Sequence, residues 1–157
     1  MMKSMMNSPA VSATTAIMVD TSAVLASVDE SYAEHELIAA ILAANEGPLV
    51  VSPMIVAEAD YMLFTRLGAA AARQFAADVA AEAYELAEWT AADQAVALDV
   101  INRNSDDSNH IGIADASNVI LADRYRTTRL LTLDQRHFRR LRPLWGADHF
   151  TILPSDS

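Results

Sequence analysis

The sequence contains no cysteine, and Lys3 is its only lysine. Without cysteine the chain cannot form disulfides, a thiolate metal site or a cysteine nucleophile, which suits a protein of the reducing cytoplasm. No apolar run is long enough to span a bilayer, so we expect no membrane partner. Residues 1–15 lack the continuous apolar stretch of a signal peptide and are predicted to be a disordered N-terminal extension.

Acidic residues outnumber basic residues by 21 to 11, and the formal net charge of −10 opposes the approach of a phosphate backbone. The basic residues are unevenly distributed, however, because most of them are arginines in one late segment. They are Arg124, Arg126, Arg129, Arg136, Arg139, Arg140 and Arg142. This clustering favours a local basic strip on an acidic protein. A solvated helical surface with cations near helix C-termini would give the same pattern.

Short apolar runs alternate with longer segments of helical periodicity along the chain. Strands are expected at 16–19, 49–51, 84–88, 129–132 and 150–153. Helices are expected over 32–45, 53–67, 69–82, 91–103 and 113–126, with a turn and a short helix within 133–141. This alternation predicts one α/β domain over residues 16–154, a three-layer α/β/α sandwich with a mostly parallel central sheet.

Two aspartates follow predicted strands directly. Asp20 comes after the apolar run Ile17-Met18-Val19, and Asp134 comes just past the segment LLTL. Because ligands bind open α/β sheets at the carboxyl ends of the strands, these two acids are candidates for a functional site. Each also has an ordinary alternative as a helix N-cap or turn residue.

Three further acids lie within predicted helices. Glu58 and Asp60 share the helix that begins at Pro53, and both have apolar neighbours at helical spacing, so periodicity does not choose between them. An acid on such a face is costly unless it reaches a polar cleft or a cation. Asp115 lies near the start of its helix, where interaction with the helix dipole is the alternative role. Asn118, one turn later, could reach the same site.

Carboxylates that converge repel one another, and a cation compensates for that repulsion. Oxygen ligands without cysteine select Mg²⁺ or Mn²⁺ rather than zinc. The four histidines, His35, His110, His137 and His149, show no paired ligand spacing and are predicted to be surface or partly buried residues.

Four segments occur in an order and spacing that resemble the VapC-type toxins of the PIN-domain superfamily. They are VDTSAVLA, VSPMIVAEADYML, IGIADASNVILADRY and LLTLDQRHF, and the resemblance extends from Ile17 to Leu153. It implies an acidic quartet at Asp20, Glu58, Asp115 and Asp134, and so favours Glu58 over Asp60. It also implies supporting hydroxyl groups at Thr21, Ser22 and Thr132. Many relatives begin with a methionine shortly before the first aspartate, the place that Met18 occupies here, which leaves the start open between Met1 and a position nearer Met18.

The resemblance implies a Mg²⁺-dependent endoribonuclease that acts as the toxin of a type II toxin–antitoxin system. Asp20 and Asp115 would hold the principal ion, while Glu58 and Asp134 would hold a second ion or orient the attacking water. The expected substrate is structured RNA, either transfer RNA or the sarcin–ricin loop of ribosomal RNA. The expected partners are a small VapB-type antitoxin and a second copy of the chain in a homodimer. We predict RNA binding by Arg136, Arg139 and Arg140.

Three rival hypotheses remain open from the sequence. One is a non-catalytic PIN-like module that binds RNA or an antitoxin, which a nuclease assay would distinguish. Another is a phosphotransferase with Asp20 as nucleophile, but Thr21-Ser22 does not continue the pattern DxDx[TV], and no lysine follows Lys3. The third is an inactive structural homodimer, which buried acids would make costly.

Overall fold

The computed structural model describes residues 15–157, so the extension predicted for residues 1–15 lies, apart from Thr15, outside the described residues. The strands are β1 (Ile17–Val19), β2 (Leu49–Val51), β3 (Glu85–Leu86), β4 (Arg129–Leu131) and β5 (Thr151–Leu153). The helices are α1 (Thr21–Val28), α2 (His35–Ala44), α3 (Pro53–Leu67), α4 (Ala69–Ala80), α5 (Ala91–Asn104), α6 (Ile113–Arg124) and α7 (Gln135–Arg140). Within the described part of the chain, none of these helices is long and apolar enough to cross a membrane.

The five strands form one sheet in the order β3-β2-β1-β4-β5, and all four pairings are parallel. The prediction of a mostly parallel sheet is therefore confirmed, since every described strand runs the same way. β1 occupies the centre of the sheet, between β2 and β4. The residues that follow β1, β2 and β4 consequently meet at one edge, which is where the chain places Asp20, Ser52 and Thr132.

Alternate strand residues divide the core between the two faces of the sheet. Met18 and Leu130 pack with residues of α5 and α6 in one buried cluster. Val19 and Leu131 pack with residues of α1 to α4 in the other. Because both faces are covered by helices, the central strand β1 is apolar throughout, and the predicted three-layer α/β/α sandwich is confirmed.

The predicted elements are present, with shifted bounds. The helix expected over 32–45 begins only at His35, and the strand expected over 84–88 contains only two paired residues, both exposed. β3 lies at the edge of the sheet and pairs on one side only, with β2.

Ser52 fixes the start of α3 and its position against α6. Its hydroxyl accepts a hydrogen bond from the backbone N–H of Ile55 at 3.1 Å, as the Ser-Pro helix start predicts. Ser117 of α6 donates to the same oxygen at 2.8 Å. Both serines are fully buried, so α3 and α6 are joined directly beneath the carboxyl edge of the sheet.

Candidate active site

Asp20 occupies the N-cap position of α1, but its side chain forms no capping hydrogen bond and is instead 7% exposed at the sheet edge. One carboxylate oxygen accepts from the Thr132 hydroxyl at 2.7 Å, and the other accepts from the Asn118 amide at 3.2 Å. Burial raises the pKa of Asp20 to about 7, against the hydrogen bond from Thr132 and with a further contribution from the charge of Asp115. The capping role alone therefore does not explain this residue, whose ionised form a nearby cation would stabilise.

Hydroxyl groups connect the ends of β1 and β4 around Asp20. The hydroxyl of Ser22 lies 3.2 Å from that of Thr132 and accepts from the backbone N–H of Leu133 at 2.9 Å. The Thr132 hydroxyl accepts in turn from the backbone N–H of Asp134 at 2.9 Å. Thr132 and Asn118 thus contact Asp20, and Ser22 contacts Thr132 and the backbone of Leu133. Thr21 differs, because its buried hydroxyl has no hydrogen-bond partner within residues 15–157.

Asp115 and Asp134 meet through His137. Asp115 lies in the first turn of α6, and its Oδ2 is 2.8 Å from His137 Nδ1. The same nitrogen is 3.2 Å from Oδ2 of Asp134. The other oxygen of Asp134 accepts from the backbone N–H of His137 at 3.3 Å, so the capping role considered for Asp134 is also realised. Burial raises the pKa of Asp115, and its contact with His137 opposes that effect.

Glu58 completes the convergence from α3. It lines a cleft of about 340 Å³ together with Asp20, Asp115 and Asp134. The helix buries Ile55, Ala59 and Leu63, whereas Glu58 and Asp60 are both exposed. Neither side chain lies on the buried face, so neither carries the cost that an acid among apolar neighbours would have. Glu58 lines the cleft and Asp60 does not.

The chemistry of the cleft fits a hard divalent cation. Four carboxylates from four segments of the chain converge without any thiolate, and the unpartnered hydroxyl of Thr21 is buried in the wall of the same cleft. Ligand atoms of Asp115, Asp134 and His137 lie within 4.8 Å of one another. Oxygen-rich donor sets suit Mg²⁺ and Mn²⁺. The residues able to hold such an ion are the four acids, with His137 adjacent to two of them.

The predicted RNA-binding arginines differ in their availability. Arg139 donates to both carboxylate oxygens of Asp156, at 2.9 and 2.6 Å. This contact lowers the pKa of Asp156 to about 2. Arg140 lies 3.4 Å from the backbone oxygen of Asn104, and Arg136 is exposed. Two of the three arginines therefore already have partners within this chain.

Sequence reasoning missed three polar residues of the cleft: His137, Tyr32 and Arg66. The three-residue spacing between Asp134 and His137, at a helix N-cap, was the available signal for the imidazole. Glu58, Met62 and Arg66 recur every four residues, which places them on one face of α3. Tyr32 lies outside any helix or strand, and no local pattern indicates its position.

The fold and the four converging acids define a class of protein. Comparison of the chain with known proteins identifies that class. Residues 17–143 match the family model described as the PIN domain, and the chain belongs to that family. The chain is also 44% identical over 138 residues to Ribonuclease VapC26 of Mycobacterium tuberculosis (strain ATCC 25618 / H37Rv). The alignment covers 88% of this chain and 100% of that relative, which makes the chain a VapC-type endoribonuclease. The rival hypothesis of a non-catalytic module is thereby disfavoured.

Two solved structures share the fold at lower sequence identity. The crystal structure of Mycobacterium tuberculosis VapC20, described as a sarcin–ricin loop cleaving toxin, superposes with a TM-score of 0.69 at 21% identity, covering 77% of this chain and 92% of that one. VapBC2 from Rickettsia felis, bound to a DNA fragment from the promoter, gives a TM-score of 0.60 at 15% identity, covering 80% and 92%. Both confirm the PIN-like α/β architecture.

Proposed function

We propose that this chain is the Mg²⁺-dependent endoribonuclease toxin of a type II toxin–antitoxin system, with Mn²⁺ able to replace Mg²⁺. The observation that carries the proposal is the convergence of Asp20, Glu58, Asp115 and Asp134 in one cleft at the carboxyl edge of the sheet. The raised pKa of buried Asp20 supports it, because the ionised acid lacks a compensating cation of its own.

In this proposal Asp20 and Asp115 hold the principal ion, and Glu58 and Asp134 hold a second ion or orient the attacking water. Bound divalent ions supply activation of water and stabilisation of charge on the leaving oxygen. Thr132 and Asn118 fix the two oxygens of Asp20, so the carboxylate needs no reorientation. The oxygen of water bonds to phosphorus and gives up a proton, the bond to the 3′ oxygen breaks, and that oxygen takes up a proton. The products carry 5′-phosphate and 3′-hydroxyl ends.

For the substrate we propose structured RNA, with the sarcin–ricin loop placed before transfer RNA. Support comes from the fold shared with a sarcin–ricin loop cleaving toxin. For partners we propose a small VapB-type antitoxin, in line with the solved VapBC2 assembly, and a homodimer. End-mapping of cellular RNA after induction identifies the substrate, and coexpression with an adjacent small open reading frame should relieve growth arrest.

The nuclease test uses purified protein and an RNA hairpin. EDTA should abolish cleavage, and either Mg²⁺ or Mn²⁺ should restore it. Asp20→Asn and Asp115→Asn should each remove activity while retaining the circular dichroism spectrum of the folded protein. The control is Asp60→Asn, which neutralises an exposed acid of the same helix as Glu58, outside the cleft. Cleavage of the hairpin by Asp20→Asn in metal-free buffer would contradict the proposed mechanism.

A further inference from the structure

One face of α3 leads from the acidic end of the cleft to a cation. Glu58, Met62 and Arg66 all line the cleft and lie four residues apart. At 1.5 Å per residue, the backbone of Arg66 is about 12 Å along the helix from that of Glu58. Among the described residues that line the cleft, Arg66 is the only arginine or lysine.

Tyr32 holds the guanidinium of Arg66 in place. Arg66 donates to the Tyr32 hydroxyl at 2.6 Å, and both side chains line the cleft. Tyr32 lies between α1 and α2 and packs against the buried cluster on that side of the sheet. A side chain that would otherwise be free on the surface is thereby given a fixed direction. Such fixing reduces the conformational entropy that Arg66 would lose when it binds a ligand.

The remaining donors of Arg66 are available to a ligand. The arginine ion pairs formed within residues 15–157 involve Arg103, Arg124, Arg126 and Arg139, but not Arg66. Its charge is only a minor cause of the lowered pKa of Asp29, after hydrogen bonds from Ser31. A guanidinium has five N–H donors in a planar fork that matches a phosphate. Of these, one is directed to Tyr32.

We propose that Arg66 binds a backbone phosphate of the RNA, at least one nucleotide away from the bond that is cut. This inference rests on the proposed function, since it concerns the strand that enters the same cleft. Four acids at one end of the cleft repel the strand, and a fixed cation at the other end draws it along the groove. Arg66 is thus a substrate-binding residue, and Tyr32 is the residue that positions it.

The test measures binding of an uncleaved RNA hairpin to Asp20→Asn protein over a range of salt concentrations. Adding Arg66→Ala should weaken binding roughly tenfold, the effect of losing one charge-assisted hydrogen bond. It should also flatten the slope of log affinity against log salt by about 0.7, the value for one phosphate contact on a single strand. Arg66→Lys should retain most of the slope, because it keeps the charge.

Arg73→Ala is the matched control, since Arg73 is exposed on α4 outside the cleft and the change removes the same charge. Tyr32→Phe should weaken binding while leaving the salt slope unchanged, because it removes the orienting hydroxyl and no charge. In the cleaving protein, Arg66→Ala should raise KM more than it lowers kcat. Equal salt slopes for Arg66→Ala and Arg73→Ala would overturn the inference.

The outcome also separates this inference from the proposed function. If Arg66→Ala cleaves and binds RNA like the unaltered protein, the phosphate contact is wrong and the ribonuclease remains. If the unaltered protein neither cuts nor binds RNA, both proposals fall. If Arg66→Ala lowers the melting temperature but leaves RNA binding intact, Arg66 serves the packing of Tyr32 instead, which also overturns the inference.

Discussion

At the scale of single residues, Asp20 affects both the stability of the fold and the chemistry of the cleft. A buried carboxyl whose pKa is raised by folding binds its proton more tightly in the folded state than in the unfolded state. Its contribution therefore weakens the fold as pH rises from about 4 through about 7, the range between its ordinary pKa and its pKa in the folded protein. Above that range Asp20 is ionised in the folded protein, and the free-energy cost of burying its charge is complete unless a cation is present.

We predict that Asp20→Asn changes the free energy of unfolding of the metal-free protein more favourably at pH 8 than at pH 4. The difference between the two pH values should be a few kcal/mol. The neutral amide carries no buried charge, so the difference between variant and unaltered protein grows as pH rises. Denaturant unfolding in EDTA at both pH values measures it. Saturating Mg²⁺ should raise the melting temperature of the unaltered protein and have little effect on the variant. A stability difference independent of pH would contradict the assignment of the charge to Asp20.

Single residues also mark the limit of sequence reasoning in the cleft. Asp20 and Asp134 were predictable because each comes after a strand. In a parallel sheet, residues after the strands lie at its carboxyl edge. Glu58 was not separable from Asp60 by pattern, since the distinction depends on which side of α3 faces the cleft. His137 was judged an ordinary histidine, yet Nδ1 contacts both Asp115 and Asp134. The spacing of Asp134 and His137 is the only local sign of this arrangement, since Asp115 and His137 lie 22 residues apart.

At the scale of elements, the orientation of α3 determines where Glu58 and Arg66 lie. Its start is fixed by Ser52, which caps the helix and accepts from Ser117 of α6. The same contact therefore relates α3 to the helix that carries Asp115. A substitution at Ser52 or Ser117 should therefore shift the acids of the cleft, although neither serine lines it.

We predict that Ser52→Ala lowers the free energy of unfolding by about 1–2 kcal/mol, because it removes a helix cap and a partner of a buried hydroxyl. It should also weaken Mn²⁺ or Mg²⁺ binding, measured by calorimetry. The matched control is Thr90→Ala, which removes the capping box of α5, a helix that carries none of the four acids. The control should lose comparable stability and keep its metal affinity. Equal metal affinity in both variants would contradict the coupling.

At the scale of the whole molecule, a net charge of −10 must be reconciled with an RNA substrate. Much of the positive charge takes part in ion pairs within the chain, such as that between Arg139 and Asp156. RNA that follows α7 must compete with those pairs. The affinity should then depend on a small number of local contacts and be strongly sensitive to salt.

We predict that replacing Arg136, Arg139 and Arg140 together by alanine weakens binding to all RNA sequences alike and flattens the salt slope by up to about 2, or 0.7 for each contact. The corresponding triple lysine variant keeps the charge and should keep most of the slope. Titration of an uncleaved hairpin with protein carrying Asp20→Asn measures both quantities. An identical slope with and without the three arginines would place the RNA path elsewhere.

The fold as a whole was more predictable than the cleft. Alternating apolar runs and helical periods determine which segments are strands and which are helices, and parallel connection rules then limit how they assemble. The bounds of β3 and α2 shifted because edge pairing and packing, rather than local preference, decide where such elements end. The rotation of α3 about its own axis is likewise a property of packing, and so the cleft is the part that sequence patterns describe least.

The central position of β1 has a consequence for synthesis on the ribosome. Asp20 leaves the ribosome 112 residues before Thr132, which fixes it, and Asp134 follows Thr132. A nascent chain therefore holds its first acid without the neighbours that would make the cleft. The cleft can therefore be complete only after β4 has joined the sheet beside β1.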